Sequence, residues 1–474
     1  MDATENSYVM DRDDLSLFVD YYELTSGNVE FNDANTDTIT NTYFIRRIPE
    51  ALGSYIVTAG LEQTVDFIMH YGLSKSDAEW LGRTSSLSKD FIRYLSNFKF
   101  NGSIYAMEEG TVAFPNEPII SITGSSIDVQ LFETYLLNMM NFQSLIATKT
   151  SRICNAAKGR SIMEFGARRA HGRDAALLGV RAAYIGGASS TSLVVAGRKF
   201  GMPYVGTMPH KFIEEHTNEE EAFIKYFESF PDSTTLLIDT YNVKAGAKNA
   251  CKIGKMMKKK GFRLSAVRID SGDLLSLSKL VRKMLDDAGL SYTKIVASSD
   301  LDEYVIDDLL KNGAPIDMFG VGTRLITGAN YDPVKKEGGV SALGGIYKLV
   351  EFERNGKQVP VAKISEDLQK ATLPGKKQVW RKIEKGRFIH DLMTTWNEKP
   401  KGYEKLLKPI VIDGKPVYEF PRLHVVQSRC KSQVGMLPET MRRIRGQHTY
   451  EVRLSRRLSA LRNKTYMIIR NKSN

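Results

Sequence analysis

Arg268-Ile269-Asp270-Ser271-Gly272-Asp273 sets a guanidinium and two carboxylates directly behind the apolar run Ser265-Ala266-Val267. A guanidinium forks onto phosphate oxygens, and carboxylates receive sugar hydroxyls or hold a hydrated Mg²⁺. A helix start would use Ser271 or Asp273 as an N-cap. That employs one acid and leaves the other acid and Arg268 unexplained, which favours ligand binding. Gly320-Val321-Gly322-Thr323 follows Asp317-Met318-Phe319 and is echoed by Gly338-Gly339 and Gly344-Gly345. Glycines let backbone N–H groups approach a phosphate, and Thr323 adds a hydroxyl, although tight-turn packing uses the same residues. The third glycine and later acid of a dinucleotide fingerprint are missing, as is a Gly-Lys-Ser/Thr phosphate loop. In Glu164-Phe165-Gly166-Ala167-Arg168-Arg169 a planar guanidinium beside an aromatic ring suits a small aromatic carboxylate, with a structural ion pair as the alternative. Adjacent arginines point apart, so one of the two faces a ligand while the other pairs with an acid. His210, in Gly206-Thr207-Met208-Pro209-His210, can serve as acid, base or phosphoryl acceptor, against the commoner scaffold role of an isolated histidine. Ser298-Ser299-Asp300 is the fifth cluster.

Each cluster ends a short run rich in β-branched or aromatic residues: Ile162-Met163, Tyr204-Val205, Ser265-Ala266-Val267, Lys294-Ile295-Val296-Ala297 and Asp317-Met318-Phe319. Such runs read as buried parallel strands. Helix-like stretches such as 274–288 separate them, at the roughly 25–40 residue period of a βαβ unit. The fold class is therefore α/β, an α/β barrel or open sheet, with its chemistry on the loops that follow the strands. Residues 146–345 carry this period and form the expected catalytic domain. Residues 1–145 mix strand-like stretches (41–47, 102–106, 118–123) with helical ones (60–71, 88–95, 129–140) and read as an α+β lobe. The first ten to twelve residues read as disordered. Residues 346–474 open with a hairpin, 346–353 and 359–364, turned by Asn355-Gly356. A second pair, 377–382 and 387–391, is joined by Glu384-Lys385-Gly386. After Pro438 the chain reads as helix and then as strand over 465–470.

A chain of 474 residues exceeds one ordinary core. It has no apolar run long enough to span a bilayer and begins Met1-Asp2-Ala3-Thr4-Glu5, so a cytoplasmic protein without membrane association is expected. Cys154, Cys251 and Cys430 stand in no metal-ligand spacing and read as free thiols, so no protein metal-ligand set is assigned. Of the net charge of +11, residues 401–474 hold 17 Lys and Arg against 5 Asp and Glu, leaving the rest near neutral. No aromatic-interleaved module accompanies this basic tail, so a solvated or intramolecular role is favoured over nucleic acid.

Taken together, the chain resembles the nicotinate phosphoribosyltransferases, within the type II phosphoribosyltransferases. The likeness runs over about 15–382 and rests on Asp20-Tyr21-Tyr22-Glu23-Leu24-Thr25, Phe44-Ile45-Arg46-Arg47, Asn141-Phe142-Gln143, Ala147-Thr148-Lys149 and Leu343-Gly344-Gly345-Ile346-Tyr347-Lys348-Leu349, besides the clusters above. The resemblance implies an irregular α/β barrel with a flanking α+β lobe formed by both ends of the chain. It also implies a homodimer with sites at the interface. The implied reaction converts nicotinate and phosphoribosyl pyrophosphate to nicotinate mononucleotide and pyrophosphate in NAD salvage. ATP hydrolysis is implied as a coupled step through a phosphorylated His210, with Mg²⁺ on the diphosphate. In that picture Phe165 and a second subunit's Tyr22 sandwich the ring and Arg168 holds its carboxylate. Arg268 and Asp270 meet the ribosyl and diphosphate groups, and Ser299, Gly322 and Thr323 take the 5′-phosphate. Chemically, an oxocarbenium-like ribosyl cation calls for a nearby acid, which Asp270 and Asp273 supply. The diphosphate calls for cations, which Arg268, Lys149 and the metal supply; Thr207 lies beside them.

Two departures stand out. Pro209-His210-Lys211 replaces the Ala-His-Ser found in many members, and Thr25 to Thr40 lacks the apolar helix usual after the Tyr22 motif. The competing readings are a sister phosphoribosyltransferase acting on nicotinamide or quinolinate, and a catalytically weakened binder using the basic tail on RNA or an acidic partner. Nicotinamide would want an acid for its amide, and quinolinate a denser basic pocket. Arg168, with no acid in Gly186-Gly187-Ala188-Ser189-Ser190, leans to nicotinate.

Overall fold

A computed structural model describes residues 13–329, 331–332, 337–338, 342–363 and 371–473; the expectations placed on residues 1–12, Gly339 and Ile364 fall outside these. Six parallel strands form an open half-barrel in the order Ser190–Thr191, Ser161–Glu164, Met318–Val321, Lys294–Ser299, Ala266–Ile269, Thr235–Leu237. Four of the five apolar runs are strands here. The fifth contributes one bridge, Tyr204 beside Thr191. The two edge strands escape a periodicity reading because two or three residues carry no period.

Alternation along these strands divides the labour. Ile162, Val267, Ile269, Ile295, Ala297, Phe319 and Val321 are buried in the main core, where helices Arg173–Gly186, Val243–Lys259, Leu274–Asp287 and Glu303–Lys311 also bury their apolar residues. The intervening residues point to the other face. There Met163, Ala266 and Val296, with Phe165 and Met318, make a small separate apolar floor. Three of these helices start where an Asn or Asp accepts the first free N–H groups, at Asn242, Asp273 and Asp302, while Arg173–Gly186 starts at Gly172 without a side-chain cap.

The flanking lobe is a seven-stranded antiparallel sheet in the order Lys357–Pro360, Gly345–Arg354, Thr38–Ile45, Ile120–Ser125, Ser103–Ala106, Lys408–Ile412, Lys415–Pro416. Strands from both ends of the chain thus share one sheet, and the fold is an irregular α/β barrel with a flanking α+β lobe. Asn355 (φ 52°) and Gly356 (φ 71°) turn the expected hairpin, since a two-residue turn matched to strand twist needs positive φ at both positions. The second hairpin, Lys377–Glu384 with Arg387–Thr395, turns at Lys385-Gly386.

Helix Glu133–Ala156 ties the two cores, with Leu136 and Met140 in one and Ile146, Ala147 and Ile153 in the other. It runs without a break through position 145.

One expectation is corrected. Residues 465–470 are not a strand but belong to helix Arg456–Ser473. Ser455 caps Leu458 N–H at 3.1 Å, and Leu458, Leu461 and Thr465 recur on one helical face against the lobe; that packing overrides the β preference of Thr465, Ile468 and Ile469. The helix that spans the Tyr22 motif and runs into the Thr25 to Thr40 stretch, Tyr21–Asn32, is polar and buries only Glu23, Leu24 and Gly27, so no apolar helix follows the motif among the described residues.

The basic tail is partly accounted for inside the molecule. Arg152 donates to Ile444 O at 3.1 Å, Asn155 to Arg442 O at 2.6 Å, and Arg445 lies over the Tyr304 ring and pairs with Asp308 at 3.4 Å. Cys251 and Cys430 are buried free thiols and Cys154 is a half-buried one. No helix among the described residues is long and apolar enough to cross a membrane.

Candidate functional site at the strand C-termini

Strand register builds the site. Arg268 stands level with Val296, Val296 with Met318, and Ser298 with Gly320. Two residues further along, Asp270 comes level with Ser298, so Arg268, Asp270, Ser298 and Gly320 share the face that carries the apolar floor. Arg268 is the hub. Its Nε donates to Ser298 Oγ at 2.8 Å, its Nη1 to Thr207 Oγ1 at 2.9 Å, and its Nη2 lies 3.0 Å from Asp270 Oδ1. Ser298 donates in turn to Asp270 Oδ1 at 2.5 Å. Burial pushes the Asp270 carboxyl upward, but the Ser298 hydroxyl, Arg268 and His210 outweigh it and hold the group below the usual carboxylate range. Asp270 is therefore held in its ionised form.

His210 opens the short helix His210–Glu214, with Nε2 3.7 Å from Asp270 Oδ2 and Nδ1 3.1 Å from Thr240 Oγ1. Asp239 Oδ2 accepts from the Asp270 N–H at 3.0 Å and the Ser271 hydroxyl at 2.6 Å, fixing the loop that carries Asp270. Asp239 and Thr240 stand in none of the five sequence clusters, and Ser298 stands in the fifth, where only Ser299 has an expected role. Leu236-Leu237-Ile238 followed by Asp239-Thr240 repeats the strand-then-polar pattern that marked the other clusters, so a signal was present.

The Phe165 ring lies in the mouth with the Arg268 guanidinium 5.9 Å from its centroid. Gly320 makes room for it: a Cβ there would fall 2.5 Å from the ring. Gly166 is equally constrained, since its Cβ would meet Gly322 O at 2.6 Å. Buried Glu164 fixes this loop by accepting from the Gly166 N–H and, at 2.7 Å, from Thr191 Oγ1; burial raises its carboxyl above the ordinary range. Arg168 and Arg169, on the turn Ala167–Arg169, are exposed. Neither guanidinium has a hydrogen-bond partner among the described residues. Ser299 stands level with Val321 at the strand end and is exposed, as is Thr323 at the start of helix Thr323–Ile326.

Three expected site residues make none of the cluster's hydrogen bonds or ion pairs among the described residues. Lys149 is fully buried, its ammonium 2.6 Å from Glu303. Its charge is spent inside the molecule, so the expected contact with a diphosphate is corrected. Asp273 Oδ1 accepts from the N–H groups of Leu275 and Ser276 at 3.1 and 3.3 Å, the cap reading weighed against ligand binding. Tyr22 is about half exposed (53%) and lines a separate groove with Glu133, Asn138 and Phe142.

A parallel half-barrel whose strand ends gather a guanidinium, an ionised carboxylate, an imidazole and a flat ring defines the class of α/β barrel enzymes that handle anionic substrates at the barrel mouth. Family models for nicotinate phosphoribosyltransferase match as an N-terminal domain over 17–141, the family proper over 160–398 and a C-terminal domain over 399–462. Nicotinate phosphoribosyltransferase pncB2 of Mycobacterium tuberculosis is 37% identical over 445 residues, covering 94% of this chain and 92% of that protein. Nicotinate phosphoribosyltransferase of Bacillus subtilis is 37% identical over 471 residues, covering 94% and 93%. Among solved structures, human nicotinic acid phosphoribosyltransferase superposes with a TM-score of 0.80 at 26% identity, covering 94% of this chain and 99% of that one. Nicotinate-nucleotide pyrophosphorylase of Pyrococcus furiosus gives 0.72 at 27% identity, covering 91% and 98%. The chain belongs to the nicotinate phosphoribosyltransferase family.

Proposed function

We propose that this protein transfers the phosphoribosyl group of phosphoribosyl pyrophosphate to nicotinate, giving nicotinate mononucleotide and pyrophosphate in NAD biosynthesis, with ATP hydrolysis coupled through a phosphorylated His210. One observation carries the reading: the Arg268, Asp270 and Ser298 cluster sits beside the Phe165 ring, with Arg168 exposed on the loop that follows. Ionised Asp270 stabilises positive charge as the anomeric bond breaks, and Arg268 meets the departing diphosphate. The Phe165 ring stacks on the pyridine while a guanidinium binds its carboxylate.

Mg²⁺ belongs to this reading, and the residues fit it: Asp239 Oδ1 is buried without a hydrogen-bond partner among the described residues. Asp239 and Asp270 would hold the ion together with substrate oxygens. When bound, it neutralises charge on the diphosphate. Lys211, the departure beside the histidine, is turned aside by Glu215 at 2.6 Å, which leaves the imidazole edge to Asp270 and Thr240. Exposed Tyr22 suits a contact made across a homodimer interface.

Incubating the protein with nicotinate, nicotinamide or quinolinate, phosphoribosyl pyrophosphate and Mg²⁺, with and without ATP, tests the reaction. Nicotinate mononucleotide formed from nicotinate is the expected product, and turnover of either other base alone would overturn the assignment. His210→Ala is expected to keep slow product formation and lose ATP stimulation; an unchanged ratio of rates with and without ATP would remove His210 from the coupling. Arg168→Ala is expected to raise the nicotinate KM by about 10–100-fold, the worth of a charge-assisted pair, while the KM for phosphoribosyl pyrophosphate barely moves. Equal effects on both constants would count against the carboxylate contact.

A further inference from the structure

The register that aligns the site also aligns the two turns that leave it. Ser299 ends strand Lys294–Ser299 level with Val321, the last residue of strand Met318–Val321. Asp302 lies three residues beyond the first and Arg324 three beyond the second, and their side chains meet, with Arg324 Nη1 2.5 Å from Asp302 Oδ2. One ion pair thus joins the strand end that carries Ser298 and Ser299 to the turn at Gly322-Thr323. The two partners are held very differently. Asp302 is fully buried, its Oδ1 accepts from the N–H groups of Tyr304 and Val305 at 3.0 and 2.9 Å, and the next residue, Glu303, is locked to Lys149 at 2.6 Å. Arg324 is 29% exposed and sits in the four-residue helix Thr323–Ile326, and a single helical turn does not hold its own shape in water. Leu325 and Ile326 pack one side of that turn into the main core, leaving Thr323 exposed. Apolar burial is non-directional, whereas a charge-assisted bond to a fixed carboxylate has a direction. The orientation of the turn therefore depends on Arg324.

We propose that Arg324 is a positioning residue, which through Asp302 sets the Gly322-Thr323 turn against the Ser298-Ser299 strand end and so governs how tightly the site takes phosphoribosyl pyrophosphate. The inference rests on the reaction proposed above. A glycine followed by a threonine offers backbone N–H and hydroxyl donors to a phosphate, and Ser299 offers a further hydroxyl from the neighbouring strand. Donors on two separate turns grip one anion only if the turns keep a fixed relation, and the Asp302 pair is the bond that crosses between them.

The test is steady-state kinetics with thermal melting on the full chain, its Arg324→Met and Arg324→Lys variants, and the double variant Arg324→Met/Asp302→Asn. The double variant is needed because Arg324→Met alone strands a buried charge, whereas asparagine at position 302 still caps the helix and carries none. In Arg324→Met and in the double variant the KM for phosphoribosyl pyrophosphate should rise about tenfold, the scale of a small misplacement of binding groups. The nicotinate KM and kcat should barely move, and Arg324→Lys, which keeps a cation within reach of the carboxylate, should recover most of the loss. A merely structural bridge would lower the melting temperature and leave both KM values alone, and that result would overturn the proposal. So would an equal rise in both constants, or an Arg324→Lys variant no better than Arg324→Met. A parent that forms no nicotinate mononucleotide would sink the reaction and this inference with it; an active parent whose double variant keeps the parental KM for phosphoribosyl pyrophosphate would sink the inference alone.

Discussion

Arg268→Ala lowers kcat/KM by about 10³-fold or more while leaving the fold in place. The magnitude follows from position: a preorganised donor aimed at developing charge is worth about 10²–10³ in rate, and Arg268 also holds three neighbours. Without it, Thr207 Oγ1 loses a donor at 2.9 Å and Asp270 loses its ion pair at 3.0 Å. Asp270 is then left with the Ser298 hydroxyl and the more distant His210, and burial has less opposition in raising its carboxyl. Arg268→Lys keeps a charge but cannot reach Ser298, Thr207 and Asp270 together, so it recovers little. Steady-state kinetics alongside thermal melting decide the matter. A kcat/KM within tenfold of the parent, in a variant that melts normally, would show that the cluster is a structural ion network.

The second large effect concerns stability. Arg381→Met costs about 3–5 kcal/mol, the toll of stranding a buried charge. Arg381 is 1% exposed, its Nε and Nη2 grip Asp391 at 3.0 and 2.6 Å, and its plane lies over Phe388 and Phe114. Tyr450 donates to the same carboxylate at 3.0 Å, so the cluster also fastens the segment before strand Val452–Leu454. Glu117 is buried beside it; desolvation first, and the Asp391 charge second, push its carboxyl well above the ordinary range.

The pH dependence has a definite sign. A carboxyl raised in the folded state contributes fully below its unfolded value, about 4.3. That contribution is lost as pH rises through the folded value. Stability is thus expected to fall with rising pH above the ordinary carboxylate range, and Glu117→Gln to flatten that slope. Urea unfolding of the parent and both variants across pH measures each effect. A parent curve no steeper than that of Glu117→Gln, or an Arg381→Met variant within 1 kcal/mol of the parent, would sink the account.

The strands that carry the site were legible because a buried parallel strand is a short apolar run that any reading along the chain can see. Ile162-Met163, Lys294-Ile295-Val296-Ala297 and Asp317-Met318-Phe319 announce themselves, and so does the polar cluster each delivers. Asn355-Gly356 announces a turn for an equally local reason, the backbone angles those residues tolerate. Edge strands such as Ser190–Thr191 are too short to show a period, and helix Arg456–Ser473 forms against its β-branched residues because the lobe offers one face a place to pack.

Residue types and their order along the chain determined the parallel barrel, the loops that matter and the chemistry available to them. Only the tertiary structure decided which of those groups meet. Ser298 joins Arg268 and Asp270 because two strands pair in one register, and a slip of one residue would turn it to the opposite face. Lys149 was lost to the site because Glu303, far along the chain, takes its charge in the interior, and Asp273 was claimed by the helix it starts. Register and burial are relations between distant segments, and the energy that fixes them is spread over packed surfaces that no local stretch of sequence contains.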